Sequence, residues 1–265
     1  MPRTYISENL TAEQQEFIRL IDEYEIGVFS ITSIETDLRH TFNGINEILE
    51  NLVQKKFLIR LERGKYCRST YKNDWVVGCF IATNGNIAYW TALNLHGLTE
   101  QFSNTIFVQT IRQKTQKNIQ GTNYRFVKVK PEKIAGIEKQ GYGNQAFSMT
   151  DIEKTIVDCF DLPEYSGGYA ELIRAFGQAP LNAVKMAEYC SVIGNIAVTK
   201  RIACLAELLG KEKFTTFYRY AKSVLNERYS LLDPFGQDQG EFVKDWKIRL
   251  NISRENIFDI CNKQY

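Results

Sequence analysis

Apolar positions recur with helical spacing near the start of the chain. Phe17, Ile18, Leu20, Ile21 and Tyr24 form one face after Thr11, whose capping-box partner Gln14 lies three residues on, and Gly27 closes the segment. Thr32-Ser33-Ile34-Glu35 repeats the capping-box pattern and predicts a short second helix through Leu38. A turn around residues 40–44 leads to a third. There Ile45, Ile48, Leu49, Leu52 and Val53 stand at i, i+3, i+4, i+7 and i+8, the spacing of a core-facing stripe. The pattern then changes. Residues 57–61 and 66–68 read as two short strands around the Gly-containing turn 62–65, a hairpin. Three helices and a hairpin, with the second and third helices tightly joined, follow the winged helix-turn-helix plan.

After Asn73-Asp74, a predicted boundary, the pattern is longer and mixed. Helices are predicted over 75–83 and 87–96 around an Asn84-Gly85-Asn86 break. Strands are predicted over 105–110, 124–130 and 146–149. From residue 151 the chain reads as largely helical: 151–160, 169–176, 181–192, 198–209 and 213–225, with a strand-like end at 242–252. The expected architecture is α+β. It has a winged helix-turn-helix over 1–72 and a larger mixed α/β domain over 73–265 whose C-terminal half is helical.

Composition narrows the class. The 265 residues are 44% hydrophobic and 24% charged, with mean hydropathy −0.31, an ordinary globular profile. Six scattered cysteines with no C-x-x-C pair, and only His40 and His96, offer no local zinc cluster and point to a reducing, cytoplasmic compartment. The N-terminus lacks an apolar signal core, and no stretch is long enough to suggest a membrane span.

The net charge of +2 argues against a uniformly basic coat, but the charge is segregated. Residues 1–50 carry three cations against ten acids, net −7. Residues 51–72 carry seven cations against Glu62 alone, net +6. A domain so polarised suits laying one edge on phosphates. Off the apolar stripe of the third helix lie Asn43, Asn46, Glu47, Glu50 and Asn51, residue types that hydrogen-bond base edges in the major groove. The same face also suits a protein partner. Lys55 and the turn residues Arg63 and Lys65 complete the candidate DNA contacts. A second segment of net +6, residues 111–133, supplies a possible further patch at Arg112, Lys114, Lys117, Arg125, Lys128 and Lys130. Tyr124 and Phe126 interleave with it, but strand alternation sets them on the face opposite Arg125.

Three motifs suggest chemistry. Gly141-Tyr142-Gly143-Asn144-Gln145-Ala146 fits G-x-G-x-x-A, yet strand-like residues follow it where a dinucleotide site needs a helix. Asp151, Glu153, Lys154 and Asp158 would be the acids and lysine of a metal-dependent nuclease, but they share one helix start. There Thr150 and Glu153 form a capping box and Asp151 suits the positive helix end. His96, just before Gly97, fits a helix C-terminus better than a catalytic base. No catalytic residue, metal or cofactor is assigned. A winged-helix-targeted nuclease and a ligand-sensing repressor remain as alternatives.

The run from Leu49 through Tyr66, LENLVQKKFLIRLERGKY, resembles the recognition-helix-to-wing segment of AbiEi-type antitoxins, transcriptional regulators of abortive-infection systems. The resemblance continues through Ala92–Thr99, Phe107–Thr110, Glu153–Asp158, Pro163–Gly168, Lys200-Arg201, Leu232–Pro234 and Trp246–Asn251, in the family's order. It implies a non-enzymatic autorepressor that binds inverted repeats in double-stranded operator DNA upstream of its own operon. It further implies a type IV antitoxin opposing a nucleotidyltransferase-type toxin without a stable complex. Its DNA contacts would fall at Asn43, Asn46, Glu47, Asn51, Arg63 and Lys65. Glu47 and Glu50 depart from the more basic members and imply modest affinity for one site.

Overall fold

A computed structural model describes residues 9–262; Arg3 and Glu8, counted in the acidic first segment, lie outside them. Helix α1 (Ala12–Glu23) begins at the expected box: Thr11 Oγ1 accepts from Gln14 N, and Gln14 Oε1 accepts from Thr11 N, both at 3.3 Å. Strand β1 (Val28–Ser30) follows, then α2 (Ile34–Leu38), α3 (Ile45–Gln54), β2 (Leu58–Glu62) and β3 (Lys65–Arg68). Strand β1 is absent from the sequence reading because three residues are too few to show a period of two. It pairs antiparallel with β3, giving the sheet order β1-β3-β2.

The second expected capping box does not form. Ser33 already has helical φ/ψ (−114°, −21°) and makes no cap. Glu35 instead accepts from the Phe42 amide at 2.7 Å and pins the turn between α2 and α3. That turn needs Gly44, whose φ is +71°. Phe17, Phe29, Phe42, Leu49 and Leu52 fill the core of this segment, with Phe17 edge-on to both other rings.

The larger portion opens with α4 (Asp74–Ala82), β4 (Asn86–Ile87), α5 (Tyr89–Leu95), β5 (Thr105–Thr110), β6 (Lys117–Ile119), β7 (Thr122–Lys128), β8 (Ile137–Gln140) and β9 (Phe147–Thr150). The six strands form one mixed sheet, β6-β7-β5-β4-β9-β8, with β5–β7 and β4–β9 parallel. Ile87, read as the start of a helix, is a buried strand residue. The G-x-G-x-x-A segment is the turn of the antiparallel β8–β9 hairpin, with one turn of 3-10 helix at Gly143–Gln145 and a strand, not an α-helix, after it. Gly141 there has φ +77°, and a Cβ would stand 2.5 Å from Gln145 O.

Helices α6 (Ile152–Asp161), α7 (Tyr169–Gln178), α8 (Ala183–Ile193), α9 (Ile196–Leu208) and α10 (Thr215–Val224) follow. Together with Tyr89, Phe107 and Val127 they build the largest core. The strand-like end divides into β11 (Glu241–Val243) and β12 (Ile248–Leu250), antiparallel to each other, with β10 (Ser230–Leu231) parallel to β12. Helix α11 (Arg254–Asn262) buries only Ile257 and leaves little apolar pattern to read. The fold is mixed α+β. Among the described residues no helix is long and apolar enough to cross a membrane.

A third core cluster joins the two portions. Leu61 and Cys67 of the hairpin pack with Val77, Ile81, Val108 and Tyr124. Polar contacts reinforce the junction: Tyr71 Oη donates to Asn144 O at 2.5 Å, and Asn73 Nδ2 to Gln145 Oε1 at 2.9 Å.

Candidate nucleic-acid interface

The burial of Ile48, Leu49 and Leu52 fixes which side of α3 faces water. Asn43, Asn46, Glu47 and Glu50 are exposed, while Asn51 is half-buried. The exposed set offers amide donors and acceptors and two carboxylates. It has no cation.

The seven cations of residues 51–72 divide sharply. Lys56, Arg60, Arg63 and Lys72 are exposed. Arg63 sits in the β2–β3 turn, where Gly64 takes φ +74°. Lys55 Nζ turns inward and donates to Asn9 O (2.7 Å) and Gln14 Oε1 (2.8 Å), holding the start of α1. Arg68 pairs with Asp22 of α1. Lys65 Nζ donates to Phe80 O (2.7 Å), Ile81 O (2.9 Å) and Thr83 Oγ1 (2.7 Å), capping the C-terminal end of α4. Burial presses the pKa of Lys65 below its ordinary value although Glu62 stands 3.1 Å away. Lys55 and Lys65 are therefore internal fasteners rather than free phosphate ligands.

Glu62 is the one acid among the seven cations of residues 51–72. It is a hub, with Lys65 Nζ at 3.1 Å, Lys114 Nζ at 3.0 Å and Lys117 Nζ at 3.4 Å. Burial alone would raise its carboxyl, but hydrogen bonds from Lys114 and Lys65 outweigh that and hold it below the ordinary value. Lys117 Nζ also donates to Leu61 O at 2.9 Å. Two members of the second patch thus bind the hairpin itself. Arg112, Lys128 and Lys130 remain exposed, and Arg125 lies 5.2 Å from the Tyr165 ring centroid. The strand alternation of β7 is as expected, with Tyr124 and Phe126 buried and Arg125 on the other face.

The nuclease set is already occupied by its own fold. Asp151, not Thr150, caps α6: its Oδ1 accepts from Lys154 N at 2.8 Å, and its Oδ2 from Lys185 Nζ (2.9 Å) and Tyr189 Oη (2.8 Å). Thr150 Oγ1 meets Thr155 Oγ1 at 2.7 Å instead. Glu153 accepts from Asn182 N at 2.8 Å. Lys154 pairs with Asp158 in full burial, and Gln109 Nε2 donates to Asp158 Oδ2 at 3.0 Å. Among the described residues no three His, Cys, Asp or Glu side chains converge as a metal site. His96 stands at the C-cap of α5, its Nε2 2.8 Å from Thr150 O. The cysteines are free thiols, and burial pushes Cys67 and Cys79 up to about 11, Cys190 and Cys204 to about 12. Those four are poor nucleophiles.

No protein-family profile matches this chain, and no curated protein matches it. Among solved structures it is similar to the crystal structure of the RV2827C protein from Mycobacterium tuberculosis. The TM-score is 0.64 at 11% identity, covering 97% of each chain. At that identity the similarity speaks for the fold alone.

Proposed function

We propose that the protein is a cytoplasmic, non-enzymatic DNA-binding autorepressor and the antitoxin of a type IV, AbiE-like operon. The N-terminal winged helix-turn-helix, expected over residues 1–72, reads inverted repeats in the double-stranded operator of its own promoter. The observation that carries the reading is the exposed polar face of α3, Asn46, Glu47 and Glu50, with Asn43 exposed in the turn before it, in a helix-helix-hairpin whose turn presents Arg63 to solvent. In this reading α3 enters the major groove and Arg63 meets a phosphate beside it. Carboxylates at Glu47 and Glu50 weaken contact with any single site, so paired half-sites supply the remaining affinity.

The antitoxin half rests on the sequence resemblance. Its partner is a nucleotidyltransferase-type toxin encoded beside it, opposed without a stable complex. Co-expression with that neighbour tests this half: restored growth without co-purification supports it, and unrelieved toxicity contradicts it. A titration of the protein with its upstream DNA tests the repressor half. Tight binding at low salt that weakens steeply with added salt supports it; no binding at low salt contradicts it.

A further inference from the structure

An open cavity of about 630 Å³ lies at the edge of the six-stranded sheet, against the turn Pro163–Tyr165. Register decides which side chains share its face. Thr105 is opposite Asn123, Phe107 is opposite Arg125, and Asn118 is opposite Asn123. Residues two apart on a strand lie on one face, so these five side chains join Gln116 there; Lys117 and Tyr124 also line the cavity, although their polar ends reach Glu62 and Asp74. Glu164 and Tyr165 close the cavity from the side.

The chemistry of this set is specific. Arg125 is laid over the Tyr165 ring. Gln116, with its amide oxygen turned toward Arg125, accepts from Arg125 Nε at 3.3 Å and from Nη1. Among the described residues the other guanidinium N–H groups have no protein acceptor. A guanidinium so held is a fork for a phosphate oxygen pair. Asn118 and Asn123, which hydrogen-bond each other at 2.8 Å, retain donors and acceptors of the kind that pair with the edge of a nucleobase. Glu164 supplies an acceptor suited to sugar hydroxyls. The volume lies within the range of about 300–1,000 Å³ common to small-molecule sites.

We propose that this cavity binds a mononucleotide, with its phosphate on Arg125 and its base on the Asn118–Asn123 pair. Strand β6 connects the site to the hairpin. Asn118 of β6 and Gln116 just before it present their amides to the cavity. Lys117, between them, carries its ammonium to Leu61 O and Glu62 of β2. A nucleotide that orders β6 therefore stiffens the tether of the hairpin. This second step rests on the operator-binding reading; the binding site itself does not.

Calorimetric titration of the full-length protein with AMP, GMP, CMP and UMP, and with inorganic phosphate, tests the site. At least one mononucleotide is expected to bind with Kd below about 1 mM, with phosphate alone and the Arg125→Gln variant weaker by about tenfold or more. The variant's melting temperature should match wild type. Failure of all four nucleotides overturns the proposal. So does an Arg125→Gln variant that binds as well as wild type, or phosphate binding as tightly as the nucleotides. The coupling is read separately, as operator affinity with and without saturating nucleotide. A change of about threefold or more is expected, and it is lost in Glu62→Gln, whose site lies outside the cavity and which still binds nucleotide. No change, in protein that binds both operator and nucleotide, overturns the coupling while leaving the site intact.

Discussion

Single residues in this protein carry more than their sequence neighbourhood suggests, and Glu62 is the clearest case. One half-buried carboxylate neutralises part of the charge of Lys65, Lys114 and Lys117. Replacing it by Gln leaves three ammonium groups crowded at a largely covered junction. The expected loss is about 1–3 kcal/mol at neutral pH. The pKa of Glu62 is lowered on folding, so its contribution is complete above the ordinary carboxylate range and is lost as pH falls through the lowered value. Chemical denaturation of wild type and Glu62→Gln across pH should show a gap that closes on acidification. A gap independent of pH would contradict the hub.

Lys154 and Asp158 are the opposite kind of pair, both fully withdrawn from water. Burial raises the Asp158 carboxyl despite the pull of Lys154. Lys154→Met strands that carboxylate, and urea unfolding should register a loss of about 3–5 kcal/mol. The deficit should narrow as the pH is lowered and Asp158 takes up a proton. A Lys154→Met protein as stable as wild type would show the pair to be dispensable.

At the scale of elements, periodicity made the helices legible and distance hid their partners. The stripes of α1 and α3 and the turn-bounded hairpin could be read because each is a local pattern with a local stop signal. Strands β1 and β4 could not be: with three and two residues they exist only through pairing with β3, β5 and β9. The failed box of Thr32 and Glu35 has the same cause, since Glu35 is drawn to Phe42 across the turn. Candidate site residues divide on this line too. Arg63 is exposed as the turn predicts, whereas the inward course of Lys55 and Lys65 depends on acceptors at Asn9, Gln14 and α4. Nothing near them in sequence announces it.

The division can be measured by salt titration of operator affinity. Arg63→Ala should reduce the slope of log affinity against log salt by about 0.9, the amount for one lost phosphate contact. Lys55→Ala should leave that slope unchanged and lower the melting temperature instead. Asn46→Ala should change the preference among operator variants more than the affinity for unrelated DNA. Equal slope changes for Arg63 and Lys55 would overturn the assignment of Lys55 as a fastener.

The whole molecule resolves the charge pattern into structure. The acidic first helix and the basic hairpin partly neutralise each other through Arg68 and Asp22, and the second basic segment fastens to the hairpin through Glu62. What remains for a polyanion is a smaller set of cations: Lys56, Arg60, Arg63 and Lys72, with Arg112, Lys128 and Lys130 on the larger portion. The shared core around Leu61, Cys67 and Tyr124 means that the hairpin is packed against the sheet rather than hung from a linker. The most direct test of the central claim is fluorescence anisotropy of the full chain with its own upstream DNA and with a scrambled duplex of equal length, across salt concentrations. Saturable binding is expected that favours the upstream DNA by at least about 4 kcal/mol, the low end of specific recognition, and that weakens steeply with salt. Equal affinity for both duplexes, or no binding at low salt, would contradict it.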